Sequence, residues 1–390
     1  MKKVLLKNKK EASLKRKHPW VFSGAIDKLI GEIQDGDLVA VYSKNKDFLG
    51  WGHYFNGSIS VRIISFEDEK PDDDFWAKKI KIAQQLRASI GLIPNSTTNC
   101  FRLVNGEGDG LPGLVIDIYN KTAVVQCHTI GMYRSIEEIK KALQTIFKDD
   151  LECIFNKSSE TTPRSYGIQN KFELGNQTTT NIIENSCKFE IDFVEGQKTG
   201  FFLDQRVNRS ILAKYCKNKK VLNAFCYTGG FSIYALNAKA KMVHSVDASA
   251  SAIEKLEHNL VLNEIESSRH TSYTSDVLKF LKTEEAAYDI IILDPPAYAK
   301  SQFKKHKAVQ AYKRLNAMAL DKLGSGAMLF TFSCSRVIDP ELFYRTIQSA
   351  AIEVGKDIKV VEWLSQGPDH PISIYHSEGK YLKGLVLIVQ

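Results

Sequence analysis

The sequence contains no Cys-x-x-Cys pair. Its seven cysteines (Cys100, Cys127, Cys153, Cys187, Cys216, Cys226 and Cys334) are odd in number and scattered. That argues against a disulfide framework and against a zinc site. Each is first read as a small buried apolar residue in a reducing compartment, and no metal is expected. No apolar run approaches the ~18 residues that would cross a bilayer, so no membrane span is expected. The apolar stretch near the N-terminus is far too short for a signal peptide, which makes the cytoplasm the expected location. Internal repeats and low-complexity tracts are also missing, which excludes solenoid and fibrous architectures.

What is present is the composition of an ordinary globular protein: 390 residues, 43% hydrophobic, 25% charged and 10% aromatic. That length suggests two or three domains. The net charge of +8 is unevenly placed. Eight cations (Lys2, Lys3, Lys7, Lys9, Lys10, Lys15, Arg16, Lys17) stand against Glu11 in the first twenty residues. On charge alone this segment is either a phosphate-neutralising surface or a solvated tail.

The first ~70 residues read as short strands, including 37–43, 48–55 and 58–65, separated by turn signals. They imply a small β-barrel-like module over 1–72. The acidic stretch 66–74 then leads into a helix over 75–90, with apolar residues at a helical period. A middle α+β segment is expected over 73–178, with two strands around a Gly-rich turn, a helix near 134–147 and a strand after it. From 179 to 390 strands and helices alternate. Strands are expected at 188–194, 220–224, 242–246, 289–293, 327–333, 358–363 and 381–389, and helices near 204–217, 229–237, 249–263, 305–322 and 339–354. Such alternation means a mostly parallel, doubly wound α/β sheet.

Within it, "KKVLNAFCYTGGFSIYAL" reads as a strand, a small-residue turn (223–230) and a helix. The turn lets backbone approach a ligand and aims helix N–H groups at it. It has no clean Gly-x-Gly-x-x-Gly, so its partner carries the argument. The next strand ends at Asp247, 18 residues after Gly229 (247 − 229), where a carboxylate reaches ribose hydroxyls in nucleotide-binding folds. Asp276 either caps the helix after it or contacts an adenine amino group, and both roles are compatible with one residue. A fourth strand ends "DIIILDPPAYAK", which puts Asp294 and Tyr298 on a proline-stiffened turn at the carboxyl edge of the sheet. An Asp-Pro-Pro turn with a nearby aromatic, at this spacing from a ribose acid, is characteristic of methyltransferases acting on planar nitrogen or carbon centres.

These stretches, with "NGEGDGLPGLVIDIY", "EGQKTGFFLDQR", "NAFCYTGGFS", "MLFTFSCS", "GPDHPISI" and "YLKG", resemble the bacterial 23S ribosomal RNA cytosine-C5 methyltransferases that begin with a PUA domain. The likeness covers essentially the whole chain. It implies an N-terminal PUA module for RNA, a middle domain and a C-terminal Rossmann-like class I methyltransferase using S-adenosylmethionine, with large-subunit ribosomal RNA as partner. Carried onto this sequence, Thr199, Gly200, Phe201, Asp204 and Arg206 belong to a segment closing over the cofactor. Phe225, Tyr227, Thr228 and Gly229 cradle its methionine end, Asp247 and Ala248 hold the ribose, and Asp276 meets the adenine. Pro295, Pro296, Tyr298 and Lys300 form the base-contacting loop. A homodimer is compatible with the sequence, which does not decide it.

Cytosine C5 is a poor nucleophile, and covalent addition of a thiolate to C6 activates it. That chemistry needs a cysteine near the cofactor methyl and a group on the N3/N4 edge. Cys334 follows an apolar strand next to the one ending at Asp294, so it is the candidate nucleophile, with Asp294 on the ring edge and Tyr298 stacking on an extruded base. Ser333, Ser335 and a nearby cation such as Arg336 belong to this expectation. The bland alternative is that Cys334 fills space at a strand end. Two rival functions stay open. One is guanine N7 or adenine N6 methylation, which needs no thiol. The other is a non-catalytic RNA-binding assembly factor.

Overall fold

The computed structural model describes residues 2–299 and 301–390. The chain divides into two compact units. The first takes the chain up to Ile182, then Ile191–Leu203 and Pro368–Gly379; the second takes Ile183–Glu190, Asp204–Gly367 and Lys380–Gln390.

The first unit opens with six strands, β1 (Lys3–Leu6), β2 (Trp20–Phe22), β3 (Ile26–Ile30), β4 (Leu38–Tyr42), β5 (Phe48–Tyr54) and β6 (Ile59–Ser65), and one short helix, α1 (Ala12–Lys15). They form one curled sheet in the order β2-β6-β5-β4-β1-β3. The solvated-tail reading of the N-terminus is corrected here. β1 pairs with β3 antiparallel and with β4 parallel, and Val4 and Leu6 are fully buried. The alternation Lys-Val-Leu-Leu drives one side inward and leaves the charge outside. Lys7, Lys9, Lys10, Lys15, Arg16 and Lys17 are exposed. Val4, Leu6, Leu14, Val21, Val39, Val41, Val61 and Ile63 share the small core this sheet encloses.

Next comes α2 (Phe75–Ser89), whose buried Trp76, Ile80, Ala83 and Arg87 fall on one face at helical spacing. A second sheet, β7 (Cys100–Asn105), β8 (Leu114–Tyr119), β9 (Thr122–Cys127), β10 (Cys153–Asn156) and β11 (Lys171–Leu174), runs in order β11-β10-β9-β8-β7. It shares a core with α2, α3 (Ile130–Arg134) and α4 (Ile136–Phe147). Pro368–Gly379 is tied into this unit. Arg87 donates to the Asp369 carbonyl at 2.7 Å, the Arg102 amide to the Asp369 carboxylate at 3.0 Å and Asn105 to the Pro371 carbonyl at 3.0 Å. Where the chain passes between the units, β12 (Thr179–Glu184) and β13 (Cys187–Asp192) form a two-stranded ladder.

The second unit holds the doubly wound sheet expected from the alternation, except that the strand expected at 188–194 is β13, which pairs with β12 outside that sheet. Its strands are β14 (Lys220–Ala224), β15 (Met242–Asp247), β16 (His270–Thr274), β17 (Ile290–Leu293), β18 (Met328–Ser333), β19 (Ile358–Ser365) and β20 (Lys383–Val389), in order β16-β15-β14-β17-β18-β20-β19. Five are parallel; β20 inserts antiparallel between β18 and β19. The helices are α5 (Arg206–Ala213), α6 (Gly230–Asn237), α7 (Ala250–Leu262), α8 (Val277–Thr283), α9 (Lys305–Asp321) and α10 (Pro340–Glu353). Their starts follow local chemistry: Ser249, Asp276 and Asp339 accept backbone N–H groups as N-caps. β14 pairs with both β15 and β17, and the chain turns opposite ways from it. That switch point opens a crevice beyond the strands' carboxyl ends, where Phe225 and Asp294 follow β14 and β17 and Asp247 closes β15.

Candidate active site

The turn after β14 is held in a conformation that few side chains adopt. Phe225, Tyr227 and Gly229 have φ of 63°, 48° and 85°. A left-handed aromatic residue is strained, and such strain persists where surrounding structure enforces it, as at ligand sites. At Gly229 a Cβ would sit 2.8 Å from Leu256, so only glycine fits there. Asp247 fastens the turn. Its carboxylate accepts the Tyr227 N–H at 2.9 Å and the Ser249 N–H at 2.9 Å. Each oxygen keeps a lone pair for further donors, such as vicinal hydroxyls. Thr228 is buried, yet among the described residues its hydroxyl has no hydrogen-bond partner. An orphaned buried hydroxyl in a strained backbone cradle fits a cofactor with polar groups.

Asp276 caps α8 by accepting the Lys279 N–H at 2.9 Å, and it is exposed. Capping engages one of its two oxygens. Ala248, beside Asp247, is also exposed.

At the end of β17, Asp294 stays in partial contact with solvent but is ringed by protein. Gln205 Nε2 donates to it at 3.1 Å, and the Gln205 amide is oriented by Asn208, which donates to Oε1. Burial pushes the Asp294 carboxyl up to about 7, the Asp204 carboxylate nearby adds to the rise, and the Gln205 bond opposes it. Asp204 is itself fixed, accepting the Tyr381 hydroxyl at 2.6 Å and, through its carbonyl, the Gly367 N–H at 3.1 Å.

Cys334 follows β18, which pairs in parallel with β17, Leu293 opposite Thr331. Among the seven cysteines it alone is not buried. Burial drives Cys127 and Cys216 to about 12 and Cys153 and Cys187 to about 11, and it also raises Cys226, with Asp247 adding to the rise. The flanking serines form the mount for Cys334. Ser333 Oγ accepts the Ser335 N–H at 3.3 Å, and Ser335 Oγ donates to the Ala299 carbonyl at 2.6 Å, tying this turn to the Asp-Pro-Pro loop. In that loop Pro295 is buried and Pro296 exposed. Tyr298 packs 4.7 Å from Tyr312 at 53°, against the core of the unit. Arg336 is exposed. Lys300 lies outside the described residues.

The other expected site residues have these surroundings. Thr199, Gly200 and Phe201 belong to the first unit. Thr199 donates to Asp117 at 2.6 Å and lies 2.9 Å from the Tyr119 hydroxyl, which also binds the backbone of Phe201. Gly200 has φ 124°, and a Cβ there would meet Ile191 at 2.6 Å. Arg206 is buried, and its guanidinium pairs with Glu184 at 3.2 Å. Sequence reasoning missed Glu184 altogether. It also takes two bonds from Arg209, at 2.8 and 2.9 Å, and the Tyr234 hydroxyl at 2.9 Å, all inside the protein. Breaking a buried ion network by removing one partner leaves uncompensated charge, about 3–5 kcal/mol. Glu184→Gln is therefore expected to lower the urea midpoint of the second unit markedly, read by far-UV circular dichroism; an unchanged midpoint would show that the two arginines find other partners.

His18, His376 and Glu378, in the first unit, bring ligand-type atoms within 4.8 Å of one another. The donor set does not suit a metal. His18 Nδ1 accepts the Trp20 N–H at 3.2 Å, so the neutral ring carries its proton on Nε2, the atom facing Glu378. Among the described residues no helix is long and apolar enough to cross a membrane.

The strand order, the strained turn and the acid after the second strand define a class. It is matched by the model for S-adenosylmethionine-dependent methyltransferases over residues 170–383, with a PUA-like domain over 4–66. Solved structures agree on the fold. A methyltransferase from Streptococcus mutans superposes with TM-score 0.84 at 21% identity, and another, complexed with SAH, with TM-score 0.86 at 22%, each covering 100% of both chains. Curated relatives are more similar in sequence. "Ribosomal RNA large subunit methyltransferase I" of Pseudoalteromonas atlantica is 38% identical over 392 residues, and that of Aeromonas hydrophila 38% over 395, each covering 98% of both chains. The chain belongs to the ribosomal RNA large subunit methyltransferase I family, and S-adenosylmethionine is its cofactor.

Proposed function

We propose that this chain methylates C5 of a cytosine in large-subunit ribosomal RNA through a covalent bond between Cys334 and C6. The observation that carries the reading is the pairing of two unusual groups at neighbouring strand ends. One is the single cysteine with solvent access; the other is a carboxyl that stays protonated close to neutral pH. Covalent activation of a pyrimidine needs this combination, and direct attack by a ring nitrogen needs no thiol.

In the proposed sequence the Cys334 thiolate forms the S–C6 bond, and the C5=C6 electron pair moves toward C5. Asp294 donates its proton at N3 and so holds the displaced electron density on the ring. Phe225, Tyr227, Thr228 and Gly229, with Asp247 and Ala248 on the ribose, would hold S-adenosylmethionine, which would supply the electrophilic methyl carbon that C5 takes up, the S–CH3 pair leaving on sulfur as S-adenosylhomocysteine. A base removes the C5 proton, that electron pair restores C5=C6, the S–C6 bond breaks and Asp294 regains its proton. Asp276 keeps one oxygen for the adenine. Pro296, which is exposed, and the half-buried Tyr298 are the residues proposed to meet the extruded base, which must leave its stack to be reached. The exposed cations Lys9, Lys10, Lys15, Arg16 and Lys17 suit phosphate contacts that hold structured RNA.

The test is incubation with unmodified large-subunit ribosomal RNA and labelled S-adenosylmethionine, then digestion to nucleosides. Label in 5-methylcytidine is expected. Label in 7-methylguanosine or 6-methyladenosine would overturn the cytosine assignment, and RNA binding without label would point to an assembly factor.

A further inference from the structure

β20 begins with a buried lysine, inside the "YLKG" stretch, to which no role has yet been assigned. Lys383 is 7% exposed and pairs with Ser333, the residue before Cys334. Paired residues of an antiparallel ladder point to the same side, so the lysine stem runs along the end of β18. Its Nζ donates to the carbonyl of Ser335, the residue after Cys334, at 2.6 Å and to the Tyr381 carbonyl at 2.8 Å. Two carbonyls fix the ammonium without neutralising it. Among the described residues no carboxylate lies within ion-pair distance of it; Asp339, the N-cap of α10, acts only from further away. A buried cation without a carboxylate partner is costly, and it persists where another anion forms beside it. The anion-forming group that interacts with it most strongly is Cys334, and burial holds the amine itself down at about 8 while Cys334 and Asp339 pull it back up. Tyr312 of α9 also faces Cys334, and burial keeps its phenol neutral.

We propose that the ammonium group of Lys383 stabilises the Cys334 thiolate, making Lys383 the residue that activates the nucleophile. It touches neither base nor cofactor in this role and acts through the sulfur. The inference rests on Cys334 being the nucleophile, and its test is chosen to be read without RNA or methyl transfer.

That test is the pH dependence of Cys334 alkylation by iodoacetamide, followed by mass spectrometry of the Cys334 peptide, with Cys334→Ser as the blank. In the wild type the thiol should titrate below the ordinary cysteine value of about 8.5, while the buried cysteines stay unlabelled. Lys383→Met, which keeps the stem and removes the charge, should move the midpoint up by at least about one unit. Because a less acidic thiol is intrinsically more nucleophilic, the rate at pH 7 should fall only about threefold per unit, so the midpoint is the decisive reading. Lys383→Arg should restore most of the shift. An unchanged midpoint in a folded Lys383→Met protein would overturn the proposal. So would an ordinary thiol titration in the wild type, which decides the matter even if the variant fails to fold. A lowered midpoint in a protein that forms no RNA adduct would instead remove the nucleophile assignment and leave the effect of Lys383 on the thiol standing.

Discussion

Replacing Cys334 by alanine is expected to reduce methyl transfer by about 10⁴-fold or more, the scale seen when an enzyme loses its attacking atom. The loss should be confined to chemistry. Cys334 is half-buried and caps no helix, and Ser333 and Ser335 carry the hydrogen bonds that shape its turn. Binding of RNA and of S-adenosylmethionine should therefore persist, measured by filter retention and calorimetry. A second reading separates covalent chemistry from positioning. With RNA carrying 5-fluorocytidine at the target, no proton can leave C5 and the S–C6 bond cannot be released. The wild type should then give a protein–RNA complex stable to denaturing gels, and Cys334→Ala none. Formation of 5-methylcytidine by Cys334→Ala at more than a tenth of the wild-type rate would end the covalent mechanism.

Asp294 carries the second large effect, in a form that pH can read. A free aspartic acid titrates near 3.9; here burial and Asp204 lift the carboxyl to about 7. As proton donor to N3 it works only while protonated, so kcat/KM should fall as pH rises through about 7. Asp294→Asn should lower kcat by about 10²–10⁴-fold and remove that limb. Asp204→Asn removes the neighbouring negative charge, so it should move the limb to lower pH without abolishing activity. Stability runs in the same direction. Between the unfolded and folded pKa values the native state binds the proton more tightly, so the stability that Asp294 lends is present at low pH and lost as pH climbs toward 7. Asp294→Asn should accordingly melt at a higher temperature than the wild type at pH 8 and show little difference at pH 4. A pH–rate profile flat between 6 and 9 in the wild type would rule out Asp294 as the donor.

Both effects depend on strands that short stretches of sequence already specify. β14, β17 and β18 are apolar runs bounded by turn residues, and each ends where its chemistry begins, at Phe225, Asp294 and Cys334. α7, α8 and α10 start at Ser249, Asp276 and Asp339, whose side chains satisfy N–H groups left open by the first turn. Hydrophobic period, capping and turn chemistry act over a few residues, so they can be read without the fold.

Other features needed partners distant in sequence. The lysine-rich N-terminus became β1 because β3 and β4 offered it two edges, which its charges conceal. Glu184 meets Arg206 and Arg209, 22 and 25 residues away, and Tyr234, 50 away. Tyr381 reaches Asp204 across 177 residues, and Lys383 reaches the Cys334 turn across 48. Buried charge and hydrogen-bond satisfaction are properties of the space into which a side chain is folded, and no local pattern encodes them. The sequence by itself determined most of the strands and helices of the doubly wound sheet, the cofactor turn and the identity of the candidate nucleophile. Only the tertiary structure decided which carboxyl keeps its proton, which cysteine meets solvent and which cation stands beside it, because each depends on what β17, β18 and β20 bring together.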